Sequence, residues 1–261
     1  MKFCSLYSGS SGNSIFVASE KARILIDAGL PGKHIENALK EIGESADKID
    51  GIFITHEHSD HIKGVGVLSR KYDLPIYANG KTWSSMESMI GKIKDHNIKI
   101  IDEDEVGIKD IIVKSYSIPH DAAMPSGYIV MCENKKVSIA TDLGYFSDEV
   151  KEALSESDVI LLESNHDVEM LKFGPYPYPL KRRILSNVGH LSNDDCAKAI
   201  LEILDDKKKK IILGHLSKTN NIPELALKTV VNVLEEAGID CEKDISLEVA
   251  KRDIPSCYME F

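Results

Sequence analysis

The sequence predicts an α/β protein built as a four-layer αββα sandwich, in which two facing mixed sheets are flanked by helices. Strand-rich stretches followed by alternating strands and helices occur twice, once in each half of the chain. No linker, low-complexity segment or clear repeat interrupts the 261 residues, a length that suits one large domain with its own core. We therefore expect a single domain over residues 1–261.

In the first half, short β-branched and apolar runs alternate with turns. They predict strands at residues 3–7, 14–17, 22–27, 49–54 and 74–78. The almost continuous apolar run at 49–54 is typical of a central strand that is buried on both faces. The helical spacing of Ile35 and Leu39 predicts a short helix, and further helices are expected at 60–72 and around Met86.

In the middle of the chain, one strand follows another. These strands are predicted at residues 98–101, 111–117, 127–132 and 136–140, with a hairpin turn at Asn134-Lys135. Strands and helices then alternate again. The predicted elements are a strand at 159–162, a helix at 194–204, a strand at 211–213, a helix at 225–237 and a closing strand at 245–250.

Composition narrows the class of protein. A hydrophobic fraction of 43% and a charged fraction of 28% are ordinary for a globular chain. The sequence lacks both the roughly 18 apolar residues of a membrane span and the features of a secretory signal. We therefore expect a cytoplasmic protein without membrane contact. The five cysteines have no C-x-x-C spacing, which predicts reduced thiols rather than disulfides or a thiolate zinc site.

The charge balance bears on possible partners. A net charge of −10 argues against binding nucleic acid through bulk electrostatics. It does not exclude a nuclease, because bound cations reverse the sign locally. The run Lys181-Arg182-Arg183 is either a contact to a phosphate backbone or a solvated helix face.

Three imidazoles and the carboxylate of an aspartate lie within six residues, shortly after the buried strand at 49–54. They are His56, His58, Asp60 and His61. In a short turn, the first two histidines can converge on one ion, while the aspartate and the last histidine reach a second ion. Imidazole nitrogen and carboxylate oxygen suit Zn²⁺, Mn²⁺ or Fe²⁺.

This run resembles the T/S-H-x-H-x-D-H motif of the metallo-β-lactamase superfamily, and the remaining motifs of that family follow in order. Asp27 matches the early aspartate that orients the histidine loop without being a ligand. His120 matches the third motif, Asp142 the fourth and His215 the fifth, each at a predicted strand end.

The resemblance implies a dinuclear centre for Zn²⁺ or Mn²⁺, with Fe²⁺ as an alternative. One metal would be held by His56, His58 and His120, and the other by Asp60, His61 and His215. Asp142 and a water-derived hydroxide would bridge the two metals. Two metals lower the pKa of the bridging water, so hydroxide is available as the nucleophile at neutral pH.

Two further segments resemble those of ribonuclease Z-type and small nuclease-like phosphodiesterases. In the first, His190 precedes a helix and would contact the phosphate or protonate the leaving oxygen; otherwise it merely adjoins a helix cap. In the second, Glu163 would support the site, while His166 would face the substrate or order the wall. Asp60, His190 and His166 are the catalytic candidates.

The pattern of the whole chain is similar to the YycJ/WalJ branch of the superfamily. The Ser- and Gly-rich loop before the second strand contributes Ser11 and Asn13 as substrate-binding candidates, together with Lys181, Arg182 and Arg183. The resemblance implies a 5′-to-3′ DNA exonuclease associated with DNA repair, and leaves its protein partners unspecified. Residues 173–179 either line a groove in which tyrosines stack on bases or form a Pro-rich surface connection.

Three other functions remain open at this point. One is a phosphodiesterase for small cyclic phosphates, which a closed pocket would favour. Another is thioesterase or lactamase chemistry on the same metal core. The third is a regulatory module that has kept the fold without the chemistry. The presence of every expected ligand favours an enzyme.

Overall fold

The computed structural model describes residues 1–101, 105–205, 207–241 and 243–261. The strands in chain order are β1 (Lys2–Tyr7), β2 (Ser14–Ala18), β3 (Arg23–Ile26), β4 (Gly51–Phe53), β5 (Ile76–Ala78), β6 (Ile98–Ile100), β7 (Glu105–Ile108), β8 (Ile111–Ser117), β9 (Ser126–Cys132), β10 (Lys135–Ala140), β11 (Val159–Glu163), β12 (Lys209–Gly214), β13 (Ile245–Val249) and β14 (Ser256–Glu260). The helices are α1 (Gly32–Glu41), α2 (Ser59–Ile62), α3 (Val65–Tyr72), α4 (Gly80–Ile90), α5 (Asp148–Leu154), α6 (Val168–Phe173), α7 (Tyr178–Ile184), α8 (Asn193–Ile203) and α9 (Pro223–Glu236).

The strands form two seven-stranded mixed sheets. The first has the order β14-β1-β2-β3-β4-β5-β6, and the second has the order β13-β12-β11-β10-β9-β8-β7. Strands β3 to β6 are parallel in the first sheet, as are β10 to β13 in the second. Antiparallel pairs complete each sheet. This arrangement occurs once in each half of the chain and confirms the predicted fold class.

Central strands of both sheets are buried on both faces, which explains their continuous apolar runs. In β3, Ile24 and Ile26 join the core between the sheets, whereas Leu25 joins the core under α1, α3 and α4. In β11, Leu161 belongs to the core between the sheets and Leu162 to the core under α5, α8 and α9. Three apolar layers therefore separate four layers of backbone. Among the described residues, no helix is both long and apolar enough to cross a membrane.

The fold differs from the predicted elements in several places, and it contains β7, α5 and α6, which the sequence pattern did not predict. The helix expected at 60–72 is divided into α2 and α3 near Gly64, where a Cβ atom would lie 2.3 Å from the carbonyl oxygen of Leu30. The strand expected at 245–250 is present as β13, but β14 follows it and pairs with β1 in the other sheet. The hairpin turn lies at residues 133–134 rather than 134–135, with Glu133 at φ 54°.

The carboxyl ends of the parallel strands from both sheets meet at one edge of the sandwich. A backbone contact fixes this edge, because Asn13 N–H donates to the carbonyl oxygen of Asp60 (2.8 Å) and Ala28 N–H donates to that of His61 (2.8 Å). Gly29 lies between these contacts. A Cβ atom at this position would lie 1.6 Å from the carbonyl oxygen of Asp60. Only glycine allows the 27–29 segment to approach the loop after β4 so closely.

We expect Gly29→Ala to lower the free energy of unfolding by about 1–3 kcal/mol or more, because two backbone segments must separate to admit the methyl group. Thermal denaturation monitored by circular dichroism measures this loss. Gly80→Ala is the matched control, since its Cβ would meet nothing closer than 3.9 Å and alanine is favoured within a helix. Equal melting temperatures for the two variants would contradict the close approach.

Candidate metal centre

The seven ligands expected from the sequence converge at the carboxyl-end edge. Their donor atoms form overlapping groups in which all atoms lie within 4.8 Å of one another. These groups are His56, His58 and His120; His56, His61 and Asp142; and Asp60, His61 and His215. The loops after β4, β10 and β12 and the loop between β8 and β9 bring these residues together. Ligands from both halves of the chain thus face one another across the seam between the sheets.

Several of these donor atoms lack a hydrogen-bond partner although they are buried. Within the part of the chain that the structure describes, they include the Nε2 atoms of His56, His120 and His215 and the Oδ2 atom of Asp142. Leaving buried polar atoms unpaired costs free energy, and native proteins rarely do so without a function. Lone pairs from imidazole and carboxylate groups, aimed at a shared space, are the donor set of a divalent cation. The residues present therefore fit a bound metal.

The opposite ring nitrogen of each histidine determines which atom faces the centre. His120 Nδ1–H donates to the carbonyl oxygen of Gly189 (3.2 Å), and His215 Nδ1–H donates to Glu163 Oε1 (2.6 Å). Since these acceptors cannot donate, Nδ1 carries a proton, and Nε2 is the nitrogen that can bind a cation in place of a proton.

Asp27 fixes His61 in the same way. Its Oδ2 accepts from His61 Nδ1 (2.7 Å) and from the Thr55 hydroxyl (2.8 Å), while its Oδ1 accepts from Thr55 N–H (2.9 Å). Burial by itself would lower the pKa of His61, but Asp27 and Asp142 raise it well above the usual value. Asp27 thus supports the ligand loop from behind, in the position expected for a residue that orients a ligand.

Three of these residues have left-handed backbone conformations that side chains other than glycine rarely adopt. The φ angles are 61° at Asp27, 61° at Asp142 and 54° at His215. Asp27 and His215 directly follow β3 and β12, and Asp142 lies two residues after the end of β10. Strain of this kind is tolerated where surrounding contacts enforce it, and it clusters at functional sites. At His215, the backbone N–H donates to Ser8 Oγ (2.8 Å), and the backbone oxygen accepts from Asn165 Nδ2 (2.8 Å).

Glu163 is fully buried and accepts four hydrogen bonds. Its Oε1 accepts from Nδ1 of His215 (2.6 Å) and of His190 (2.9 Å). Its Oε2 accepts from the backbone N–H groups of Leu143 (2.7 Å) and Leu191 (3.1 Å). Burial would raise the pKa of Glu163, but the two histidines outweigh it and hold the pKa at about 2. The carboxylate therefore stays ionised and joins the loops after β10, β11 and β12.

Protons compete with cations for this centre. Burial would lower the pKa of His215, but Asp142, Asp60 and Glu163 raise it to about 10. A cation must displace such protons, so its affinity falls as the pH falls.

His190 forms part of the wall of the centre and reaches solvent. Its ring centroid lies 5.2 Å from that of His120 and 5.3 Å from that of His215. Its Nδ1 lies 3.8 Å from Asp142 Oδ1, and its side chain is 17% exposed, so a substrate can reach it. Burial would lower the pKa of His190, but Glu163 outweighs burial and raises it.

His166 does not face the substrate, as one interpretation of the sequence expected. The residue is 1% exposed, and neither ring nitrogen has a partner among the described residues or any accessible surface. Burial lowers the pKa of His166 to about 4, so the ring is neutral. This burial corrects the expectation of direct substrate contact, because the backbone of His166 pairs with that of Ser192 inside the wall.

The loop between β1 and β2 contains two substrate-binding candidates, of which one is exposed and the other is buried. Ser11 is exposed at the tip of the loop. Asn13 is 2% exposed, and its Oδ1 accepts from Gly9 N–H (2.9 Å) while its Nδ2 lies 3.2 Å from His61 Nε2. The structure therefore corrects the role of Asn13, which holds the loop against the ligands instead of facing solvent.

The basic residues of α7 also have different surroundings. Arg183 is paired with Asp121 through both Nε and Nη2 (Nη2 to Oδ1, 2.9 Å), and Asp121 directly follows the ligand His120. Lys181 Nζ donates to the carbonyl oxygen of Lys172 (2.7 Å). Arg182 is exposed and has no ion-pair partner in the described part of the chain.

A buried asparagine network, which the sequence analysis did not single out, joins the loops behind the centre. Asn221 Nδ2 contacts the carbonyl oxygens of Ser164 (2.9 Å) and Asn165 (3.1 Å) and Asn193 Oδ1 (2.8 Å). Asn165 in turn donates to the backbone of His215 (2.8 Å). Sequence offers little signal for such a network, because isolated asparagines are more often turn or cap residues.

Comparison with known proteins gives both a family and a fold. The model of the Beta-lactamase superfamily domain matches residues 22–216. The chain is 47% identical over 239 residues to a Bacillus anthracis protein named Exodeoxyribonuclease YycJ, covering 91% of this chain and 90% of that protein. It is 46% identical to Exodeoxyribonuclease WalJ of Streptococcus pneumoniae D39, covering 94% and 93%. The metallo-β-lactamase fold protein YhfI from Bacillus subtilis shares the fold with a TM-score of 0.73 at 14% identity, over 98% of each chain.

We expect Glu163→Gln to weaken metal binding about 10- to 100-fold. All four partners of Glu163 are donors, so either orientation of the glutamine amide places its N–H group against a donor. Isothermal titration with Zn²⁺ measures the affinity. Glu169→Gln, with a 67% exposed side chain, is the matched control. If both variants bind zinc as the wild type does, Glu163 does not hold the ligands in place.

Proposed function

The chain belongs to the metallo-β-lactamase superfamily, and from that premise we propose that it is a metal-dependent exonuclease that hydrolyses DNA from its 5′ ends. Support comes from the likeness to two exodeoxyribonucleases over more than nine-tenths of this chain and at least 90% of theirs. In this chain, every expected ligand lies in one cluster. Proteins that share this fold and this set of ligands catalyse different hydrolytic reactions. The substrate must therefore be inferred from the residues around the metal centre.

In this proposal the centre holds two divalent cations, Zn²⁺ or Mn²⁺, with Fe²⁺ as an alternative. His56, His58 and His120 would hold the first cation, and Asp60, His61 and His215 would hold the second. Asp142 would be shared by the two. When bound, such cations supply hydroxide at neutral pH and neutralise charge on phosphate oxygens.

His190 is the proposed general acid for the leaving oxygen. Its Nδ1–H donates to Glu163, which orients the ring and raises its pKa, so that Nε2 carries a proton it can transfer. Asp60, whose side chain is 25% exposed, borders the same space and is proposed to help orient the attacking water.

Arginine side chains at the edge of the centre favour a polyanionic substrate, although the whole chain carries a net charge of −10. Asp121 accepts from Nε and Nη2 of Arg183 and so orients the guanidinium at the edge of the centre, and the N–H groups that remain on Nη1 and Nη2 can donate to a phosphate. Arg182 extends the same side of α7. Exposed Ser11 offers a hydroxyl at the tip of the β1–β2 loop.

The test uses protein stripped of metal and resupplied with Mn²⁺ or Zn²⁺, acting on duplex DNA labelled at either end and on bis-p-nitrophenyl phosphate. We expect shortening from the 5′ ends, lowered about 10²-fold or more in Asp142→Asn. Asparagine tolerates the left-handed backbone at this position better than alanine does. Asp148→Asn, on an exposed helix end, is the control.

Cleavage of the small diester alone would replace the nuclease with a small-molecule phosphodiesterase. Cleavage of neither substrate under both metals would contradict phosphodiester chemistry altogether.

A second prediction isolates His190. We expect His190→Gln to slow DNA hydrolysis about 10²- to 10⁴-fold, because the deoxyribose oxygen leaves poorly without a proton. Hydrolysis of bis-p-nitrophenyl phosphate should change much less, since p-nitrophenolate leaves without one. The glutamine retains a donor for Glu163. Equal losses on both substrates would show that His190 acts on phosphate binding or metal binding and not as the acid.

A further inference from the structure

Two aromatic side chains stand out from the surface between β11 and α8. Phe173, at the end of α6, is 83% exposed, and Tyr178, at the start of α7, is 73% exposed. We refer to this pair as the aromatic rim. Keeping large apolar rings in water is unfavourable, and exposed apolar patches often mark interaction sites.

The backbone around the aromatic rim is braced. Prolines at positions 175, 177 and 179 restrict it. Gly174 packs so closely that a Cβ would lie 2.4 Å from the carbonyl oxygen of Met170 and 2.7 Å from Asn220 Oδ1. Lys181 Nζ ties α7 to the carbonyl oxygen of Lys172 (2.7 Å). The rings are therefore held outside by an ordered segment, which lowers the entropy cost of binding a partner there.

Two arginines lie on α7, the short helix that begins at Tyr178. Arg182 is exposed and, among the residues that the structure describes, has no ion-pair partner. Arg183 follows it and is held by Asp121 beside the metal ligand His120. The helix thus leads from Tyr178 at its start to a guanidinium at the edge of the metal centre.

Flat rings next to cations suit a partner that has both aromatic faces and negative charges. A single strand of nucleic acid offers both, because its unstacked bases present their faces while its phosphates lie alongside. A duplex hides those faces within its stack.

We propose that the aromatic rim stacks on bases of an unpaired DNA strand whose phosphates pair with Arg182 and Arg183, and that it guides the strand to the metal centre. This inference rests on the proposed nuclease function and specifies its substrate as a single-stranded end. A duplex would then have to open by a few nucleotides before its first scissile bond reaches the centre.

Binding tests the inference directly. We would measure the fluorescence anisotropy of labelled single-stranded and duplex oligonucleotides with metal-loaded protein in an Asp142→Asn background, which slows degradation. We expect Phe173→Ala and Tyr178→Ala each to weaken single-strand binding about 5- to 150-fold. Phe173→Trp and Tyr178→Phe should bind as the parent does, because a stacking face remains.

Tyr258→Ala is the matched control. Tyr258 is 46% exposed and borders the cleft beside Val159 and Lys209, which begin β11 and β12 at the opposite ends of these strands from the metal centre. We expect its affinity for single strands to equal that of the parent. Hydrolysis of bis-p-nitrophenyl phosphate, measured with Asp142 intact, should be unchanged in both rim variants.

Oligonucleotides with abasic sites separate stacking from a general loss of structure. In the parent protein, abasic positions should weaken binding as much as the alanine substitutions do, and combining the two should cause no further loss. Full single-strand affinity in Phe173→Ala/Tyr178→Ala would overturn the inference while leaving a DNA-degrading wild type as a nuclease. A wild type that neither binds nor shortens DNA would overturn both proposals.

Discussion

Burial of several carboxylates among imidazoles in the seam between two sheets is the constraint on which the site depends. Asp27, Asp142 and Glu163 are at least 98% buried, and charge taken out of water is costly unless it is paired and hydrogen-bonded. N–H groups placed around the carboxylates offset this cost by hydrogen bonding. Each buried carboxylate accepts from histidine or backbone N–H groups or lies at the donor cluster. Unpaired atoms of His56, His120, His215 and Asp142 remain, and they belong to the groups where a cation fits.

The same constraint explains why the surrounding backbone is so closely packed. Left-handed conformations at Asp27, Asp142 and His215 turn each residue sharply out of its strand, and neighbouring loops must enforce them. Gly29 allows two of these loops to touch through backbone atoms. The buried asparagines do the same for the loops after β11 and β12, because an amide satisfies carbonyl oxygens without adding charge. Polar and backbone contacts therefore hold the loops of the centre against one another.

Much of this arrangement can be predicted from sequence because the chemistry of the ligands is compressed into short motifs. The two-faced burial of central strands gives apolar runs, so the sandwich and most strands follow from pattern alone. The residue types and spacing around His56 predict metal binding directly. Other features depend on contacts between distant residues. The pairing of β14 with β1, the burial of His166 and the inward amide of Asn13 leave no local pattern, since a buried and an exposed polar residue look alike in a sequence.

Differences in substrate within such a fold must arise outside the metal ligands. The ligand loops leave strand ends that belong to the sheets themselves, so they change little without loss of the core. The connection from β11 to α8 is different, because it carries α6 and α7 on the surface and is attached at Glu163 and His190. Its ends are fixed by a carboxylate that also orients the ligand His215, whereas its middle presents rings and guanidinium groups to solvent. A segment that is attached to the site at both ends and exposed in between can affect which substrate reaches the centre without moving the expected ligands.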